Sequence, residues 1–155
     1  MAALGLCANL FSNHLWFWGD QHMDITVGPD RARRMNAAAT AIREGVAISL
    51  HSDSPVTPLG PLATASYAVE RRTASGRSIG AHESITIDQA LRAITLGAAF
   101  MLKLDHEVGS IEGGKRADFA VLGSDPYEVA EPADLRSIEV FGTVVGGRHF
   151  AARRA

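Results

Sequence analysis

Residues 46–50 form a short segment, Val-Ala-Ile-Ser-Leu, that limits the chain to few fold classes. Gly45 precedes this nearly apolar segment, and the turn-forming sequence Ser-Asp-Ser-Pro at 52–55 follows it closely. A run of this kind is typical of a strand buried on both faces, and such strands belong to parallel sheets whose faces are covered by helices. The segment therefore predicts an α/β fold.

Three helices are predicted from apolar residues that recur at helical spacing. The first begins near Pro29, which suits a first helical turn. The second begins near Pro61, and the third follows a capping box of Thr86 and Gln89 and extends to Met101. The apolar stripe of the first helix consists of Ala32, Met35, Ala39 and Ile42.

The amino-terminal segment is predicted as a strand that passes into a long loop. The strand covers Leu4–Phe11, and the loop begins with the polar and aromatic stretch 12–20. Aromatic residues contribute strongly to hydrophobic cores, so Trp16, Phe17 and Trp18 are interpreted as core residues, with a pocket lining as the alternative.

The pattern changes after about Asp105, where turns and short strands replace helices. Gly109–Lys115 is rich in turn residues, and Gly146-Gly147 suits a hairpin turn. Strands are predicted over Ala117–Leu122, Ile138–Val145 and Arg148–Ala151. We therefore predict a division into residues 1–104 and residues 105–155.

Composition excludes several classes of protein. The chain has 155 residues, is 46% hydrophobic and 21% charged, and carries a formal charge of −2, which is typical of a globular domain. No run of about eighteen apolar residues is present, so no transmembrane helix is expected. The one cysteine, Cys7, and the lack of a charged signal-peptide start favour a cytoplasmic location. Nucleic-acid binding is not expected, because the longest clusters of basic residues are pairs. These pairs are Arg33-Arg34, Arg71-Arg72 and Arg153-Arg154.

The strongest candidate site follows the buried strand. His51 and Asp53 stand at its carboxyl end, where α/β sheets and barrels build their active sites. Two residues apart in a strand, they would point to the same side and could bind a metal or act as a base and its orienting partner. The alternative is that Asp53 only forms a turn before Ser-Pro.

A second group of polar residues lies in the predicted loop. His14, Asp20, His22 and Asp24 are close in sequence, but their spacing fits no local zinc pattern such as two histidines one helical turn apart. Hydrogen-bonded loop histidines are the favoured interpretation.

Several segments, taken in order, resemble amidohydrolase family 3. They are Gly28–Ala32, Gly45–Val56, Ala90–Ala99 and Gly109–Phe119. The last of these, Gly-Ser-Ile-Glu-Gly-Gly-Lys-Arg-Ala-Asp-Phe, is similar to the segment that leads such enzymes from barrel to small β domain. The stretch His14–Asp20 is similar to the branch of predicted metal-dependent hydrolases called exoenzyme regulatory proteins.

The resemblance implies a metal-dependent hydrolase of carbon–nitrogen bonds, typically amides. It implies an α/β fold made of the last βα units of a TIM-barrel amidohydrolase plus short antiparallel strands of the flanking β domain. Asp53 would contact the catalytic metal and accept the proton of the attacking water. His14 and His51 are the expected substrate-binding residues, and zinc is the expected divalent metal.

The chain departs from the family pattern in its metal ligands. No two histidines lie two residues apart, and neither Lys103 nor Lys115 stands where a bridging lysine is expected. A complete barrel needs roughly 250 residues. We therefore expect a carboxyl-terminal part that alone binds no metal and hydrolyses nothing. Its partner would be a missing amino-terminal barrel half or a second copy.

Two other hypotheses remain open. The chain could be a non-catalytic remnant or a regulatory or binding module that retains the amidohydrolase tail. Alternatively, His14, His22, His51 and Asp53 could form a metal site across a dimer.

Overall fold

The computed structural model describes residues 1–152, so Arg153 and Arg154, the last of the basic pairs, lie outside the described residues. The strands β1 to β5 of this part are Ala8–Leu10, Ile48–Leu50, Phe119–Leu122, Val140–Val145 and Arg148–Ala151. The helices α1 to α6 are Asn13–Gln21, Pro29–Ala32, Ala38–Arg43, Pro61–Glu70, Ile87–Ile94 and Leu96–Met101. Shorter 3-10 segments are Ala2–Leu4, Ala81–Glu83 and Pro132–Ser137, and His22–Thr26 is π-helical.

The strands β1 and β2 form a parallel pair, as the apolar segment 46–50 predicts. Ala8 pairs with Ile48 and Leu10 with Leu50, and all of β2 is buried. Both strands are shorter than predicted: β2 begins at Ile48, and a 3-10 turn replaces the start of the predicted strand Leu4–Phe11. The helices between the two strands provide the crossover that parallel pairing requires.

The main hydrophobic core surrounds β2. Helices α5 and α6 contact this strand, α4 packs against α5, and the segment Pro132–Ser137 contributes one fully buried leucine. The buried side chains of this core are Ala38, Ile48, Leu50, Ala65, Ala68, Ile85, Ala90, Ala93 and Leu135. Burial of β2 is therefore achieved by residues from both halves of the sequence.

The predicted loop after the first strand is wrong, because residues 13–21 form helix α1. Tertiary contacts with α4 stabilise this helix: the Ser12 hydroxyl donates a hydrogen bond to the Thr64 carbonyl at 2.8 Å, and the Trp16 ring stacks on Tyr67 at 5.2 Å. Trp16 and Trp18 are half-buried, but Phe17 is exposed, so the core interpretation fails for Phe17.

The first predicted helix is divided into α2 and α3 by a buried arginine. Arg71 follows α4 in a left-handed conformation, and its side chain is almost fully buried. Its guanidinium donates hydrogen bonds to the carbonyl oxygens of Met35 and Asn36, both at 3.0 Å, and to those of Ile79 and Gly80 at 3.0 and 3.1 Å. Carbonyls turned toward Arg71 cannot continue the helical hydrogen-bond ladder, so the helix is interrupted between Ala32 and Ala38.

The third predicted helix starts as expected but is also divided. The Thr86 hydroxyl accepts from the Gln89 amide at 3.1 Å, and the Gln89 side chain accepts from the Thr86 amide at 2.9 Å, which confirms the capping box. The helix breaks at Thr95, where Gly97 of α6 packs against the Ile48 carbonyl. A Cβ on Gly97 would lie 2.3 Å from that oxygen, so only glycine permits this approach.

The carboxyl-terminal residues form an antiparallel sheet in the order β3-β4-β5. Gly146 and Gly147 join β4 to β5 with φ angles of 55° and 79°, as a two-residue hairpin turn requires. The three predicted strands are therefore confirmed, with β3 and β4 starting two residues late. No helix within residues 1–152 has the length and hydropathy to cross a membrane.

Candidate active site

The carboxyl ends of β1 and β2 meet at one edge of the parallel pair, and the predicted site residues follow them there. Phe11 comes directly after β1, and His14 lies in the first turn of α1. His51 comes directly after β2, and Asp53 follows in the next turn. Because β1 and β2 are parallel neighbours, the residues that follow their carboxyl ends, among them His14, His51 and Asp53, come to the same edge.

An aromatic stack joins the two histidines. The Phe11 ring stacks with both of them, with its centroid 4.8 Å from that of His14 and 5.1 Å from that of His51. Both contacts are nearly parallel, at 18° and 21°. The edge-to-face neighbours of His14 are Trp18 at 5.1 Å and His22 at 4.7 Å. Sequence analysis did not identify Phe11, although its place as the last residue of the predicted strand Leu4–Phe11 was a usable signal.

Asp53 lies in a turn rather than in the strand. β2 ends at Leu50, and Asp53 has a left-handed φ of 53°, so the alternation rule that places His51 and Asp53 on one side does not apply. The backbone closes the turn by a 2.7 Å hydrogen bond from the Val56 amide to the Asp53 carbonyl. The Asp53 carboxylate is exposed and accepts no hydrogen bond from any residue in 1–152, so it does not itself form the turn.

A buried hydrogen-bond network connects this turn to α1. The Asn13 side-chain amide donates to the Thr57 hydroxyl at 2.8 Å, and the Thr57 hydroxyl donates to the Ser52 carbonyl. Asn13 and Thr57 are each 1% exposed, so the network is shielded from water. It therefore holds the start of the Asp53 turn against the helix that carries His14.

The predicted group of four polar residues is separated by the structure. His14 and His22 lie together, but Asp24 pairs with the Arg77 guanidinium at 2.8 Å, and Asp20 contacts the same group at 3.3 Å. Both carboxylates are therefore engaged in a surface ion pair, and the spacing of the four residues in sequence does not reflect a common site.

Burial and nearby charges lower the pKa of His14 below its ordinary value of 6.5. Burial is the largest cause, repulsion by the neighbouring His22 adds to it, and the Asp53 carboxylate partly opposes both. The His22 Nδ1 lies 2.7 Å from the Thr26 hydroxyl, while its Nε2 is buried with no hydrogen-bond partner in the part of the chain described. His14 is therefore neutral at pH 7.

We expect His22→Gln to raise the pKa of His14 toward 6.5 without reaching it, because repulsion is removed while burial remains. Folding depresses this histidine pKa, so the unfolded chain binds the proton first. The contribution of His14 to stability is therefore lost as the pH falls below about 6.5. Side-chain NMR titration measures the pKa of His14. His106→Gln is the control, because His106 is an exposed histidine that lies beside Glu107. An unchanged pKa in His22→Gln would contradict the proposed repulsion.

The residues of the site do not fit a complete metal centre. Within residues 1–152, no group of three histidine, cysteine, aspartate or glutamate side chains is placed to hold a metal ion. A catalytic zinc usually takes three protein ligands. One copy of the chain, as far as it is described, therefore does not supply a catalytic ligand set.

The fold and the site together define a class of protein. A parallel βαβ arrangement with histidines and a carboxylate at the carboxyl edge of its strands is the active-site layout of α/β barrel and open-sheet enzymes. The amidohydrolase family model matches residues 1–151, and the chain belongs to that family.

Two curated relatives support this assignment. The chain is 40% identical over 103 residues to the N-substituted formamide deformylase of Arthrobacter pascens, which covers 66% of the chain and 19% of the relative. It is 32% identical over 125 residues to the amidohydrolase YtcJ of Bacillus subtilis, covering 79% of the chain and 23% of that protein. The chain thus spans about a fifth of the length of the curated relatives it matches.

Solved structures give the same result. An amidohydrolase from Thermotoga maritima matches 74% of the chain and 26% of its own length, with a TM-score of 0.56 and 25% identity. A metal-dependent hydrolase from Pyrococcus horikoshii matches 83% of the chain and 26% of its own length, with a TM-score of 0.66 and 20% identity. The second likeness shows the fold alone.

Proposed function

We propose that the chain is the carboxyl-terminal part of a metal-dependent hydrolase that cleaves carbon–nitrogen bonds of small amide-type molecules. The observation that carries this proposal is the convergence of His14, His51 and Asp53 at the carboxyl edge of β1 and β2 in an amidohydrolase family member. In this proposal β1 and β2 are the last two strands of a (β/α)8 barrel. The strands β3 to β5 then belong to the flanking β domain, with the division near residue 105.

Asp53 is the proposed proton acceptor. Its exposed carboxylate receives the proton of the water that attacks the amide carbonyl, and returns it to the leaving nitrogen. Neutral His14, together with His51, binds the amide by hydrogen bonds from the imidazole nitrogens. Asp53 also supplies one ligand to a divalent metal, zinc by expectation, whose other ligands come from outside these 155 residues.

The substrate class follows from the relatives. The deformylase named above acts on N-substituted formamides, and it is 40% identical to this chain over 103 residues. We therefore propose uncharged N-substituted amides, formamides first, as the compounds to assay.

The proposed partner is inferred from the small size of the parallel sheet. Within residues 1–152, β1 and β2 pair only with each other, so each has one edge without a strand. Unpaired apolar strand edges favour pairing with further strands. We propose the amino-terminal barrel half as the partner, with self-association of the chain as the alternative, and a cytoplasmic setting for both.

A non-catalytic binding or regulatory module is the second candidate function. It is favoured by the absence of a three-ligand metal group among residues 1–152. The two functions differ in whether a protein that contains the whole barrel hydrolyses amides.

The test compares the 155-residue chain with a protein in which an amino-terminal barrel half precedes it. We expect release of amine from N-substituted formamides by the longer protein only. Exhaustive chelation should abolish this activity and added zinc should restore it, with bound metal followed by elemental analysis. Full activity in metal-free longer protein would refute the metal-dependent mechanism, and a failure to hydrolyse any amide would favour the binding module.

A further inference from the structure

The ring of Phe11 has a place in the site that follows from two independent features of the fold. The register of the parallel pair sets Leu10 beside Leu50, and the His51 amide donates to the Leu10 carbonyl at 3.0 Å. The next residues, Phe11 and His51, are therefore neighbours, and their rings stack at 5.1 Å. The first turn of α1 brings His14 into a stack with the same ring at 4.8 Å.

The stack orients both imidazoles without using their nitrogen atoms. Enzymes commonly orient a histidine by a hydrogen bond to one ring nitrogen, which leaves only the other nitrogen for the ligand. Phe11 has no polar side-chain atom, and its contacts with His14 and His51 are nearly parallel, at 18° and 21°. In residues 1–152 neither imidazole makes a side-chain hydrogen bond, so every ring nitrogen stays available.

The surroundings leave one side of this arrangement open. Phe11, His14 and His51 are all half-buried, which places them at the boundary between the core and the carboxyl edge. Trp18 makes an edge-to-face contact with His14 at 5.1 Å and lies 6.2 Å from Phe11, so it covers a side shared by these two rings. Each imidazole is thus held nearly parallel to the Phe11 ring, while its nitrogens can meet a ligand at the edge of the sheet.

We propose that Phe11 is the positioning residue of this site, and that it holds His14 and His51 in parallel planes so that both present unengaged nitrogens to an amide-type ligand. The inference rests on the substrate-binding role of the two histidines in the proposed function. It adds a residue that touches neither the reacting atoms nor any metal and acts only through the imidazoles.

The test uses side-chain NMR of the 155-residue chain and three variants. Ring current from Phe11 should displace the imidazole proton signals of His14 and His51 upfield. We expect Phe11→Leu, which keeps an apolar side chain but has no ring, to abolish the displacement, and Phe11→Tyr to retain it. Phe17→Leu removes an exposed ring outside the stack and should leave both histidine signals unchanged.

The outcomes separate this inference from the proposed function. Cross-peaks from the Phe11 ring to both imidazoles in the unaltered chain test the arrangement even where Phe11→Leu fails to fold, and their absence would overturn it. Histidine signals that are the same in folded Phe11→Leu would also overturn it.

N-methylformamide should shift both imidazole signals in the unaltered chain and in Phe11→Tyr, and at least tenfold higher concentrations should be needed in Phe11→Leu. An unaltered chain with the expected cross-peaks but no response to N-methylformamide would instead overturn the substrate-binding role of the histidines.

Discussion

Replacing Asp53 with asparagine in the barrel-containing hydrolase is expected to lower kcat by about 10²- to 10⁴-fold, the usual contribution of a general base. Asparagine has the same shape but cannot accept the proton of the attacking water. The loss should fall on kcat more than on KM, because the proposed substrate contacts are made by His14 and His51. Steady-state kinetics on N-substituted formamides measures both quantities.

The fold should tolerate this substitution. The Asp53 carboxylate is exposed and accepts no hydrogen bond from the described residues, and the turn around it is closed by backbone atoms. Asp30→Asn is the matched control, because Asp30 is an exposed carboxylate on α2 whose ion pair within residues 1–152 is with Arg33. Undiminished turnover in Asp53→Asn, with the control also active, would remove Asp53 from the mechanism.

Replacing Arg71 with methionine is expected to destabilise the chain by about 3–5 kcal/mol, the range observed when one partner of a buried charged network is removed. Methionine fills much of the same space but leaves the carbonyls of Met35 and Ile79 without a hydrogen-bond donor from the described residues. The carbonyls of Asn36 and Gly80 lose the guanidinium but keep the backbone amides of Ala38 and Glu83 as donors. Each unsatisfied buried group costs about 1–3 kcal/mol. Since domains are stable by only about 5–15 kcal/mol, this loss would remove a large part of the free energy of unfolding and lower the unfolding midpoint clearly.

The electrostatics of this residue support the prediction. Burial lowers the pKa of Arg71 to about 10, which the buried carboxylate of Glu83 partly offsets. The guanidinium is thus still charged at pH 7, and its desolvation is compensated by the carbonyls it binds. Removing it also deprives Glu83 of a favourable charge, although Thr40 continues to donate to that carboxylate at 2.8 Å from its amide.

Urea unfolding followed by circular dichroism tests the Arg71 prediction. Arg72→Met is the matched control, because Arg72 is the next residue and exposed, and among residues 1–152 its side chain donates only to the Gly76 carbonyl. Arg71→Lys should recover part of the stability, since lysine keeps the charge but not the planar set of donors. An Arg71→Met variant with the unfolding midpoint of the control would contradict the structural role assigned to the guanidinium.

The elements that sequence analysis predicted correctly have signals within a few neighbouring residues. The apolar segment 46–50 indicates a buried parallel strand, and β2 is one. Thr86 and Gln89 form the capping box, and Gly146-Gly147 joins the two strands of a hairpin. In each case hydrophobicity, a cap or a permissive backbone acts locally, so its consequence can be derived without knowledge of the rest of the chain.

The predictions that were wrong concern elements set by contacts between residues distant in sequence. Helix α1 contains aromatic residues and a glycine, which are weak helix formers, and it is stabilised by the contacts of Ser12 with Thr64 and of Trp16 with Tyr67. The break between α2 and α3 is set by Arg71, which is 35 residues from Asn36 in sequence. No local pattern contains these contacts, so local propensity alone predicts a loop for the first segment and an unbroken helix for the second.

For the candidate site too, some features could be predicted from local sequence and others depend on the tertiary structure. The order of the motifs was enough to assign the amidohydrolase family, and the end of the apolar strand was enough to select His51 and Asp53 as candidates. The stacking of His14 and His51 on Phe11 could not be derived, because it depends on the register of two strands about forty residues apart. Short-range signals are encoded residue by residue, whereas register and side-chain stacking arise only when burial of the common core packs distant segments together.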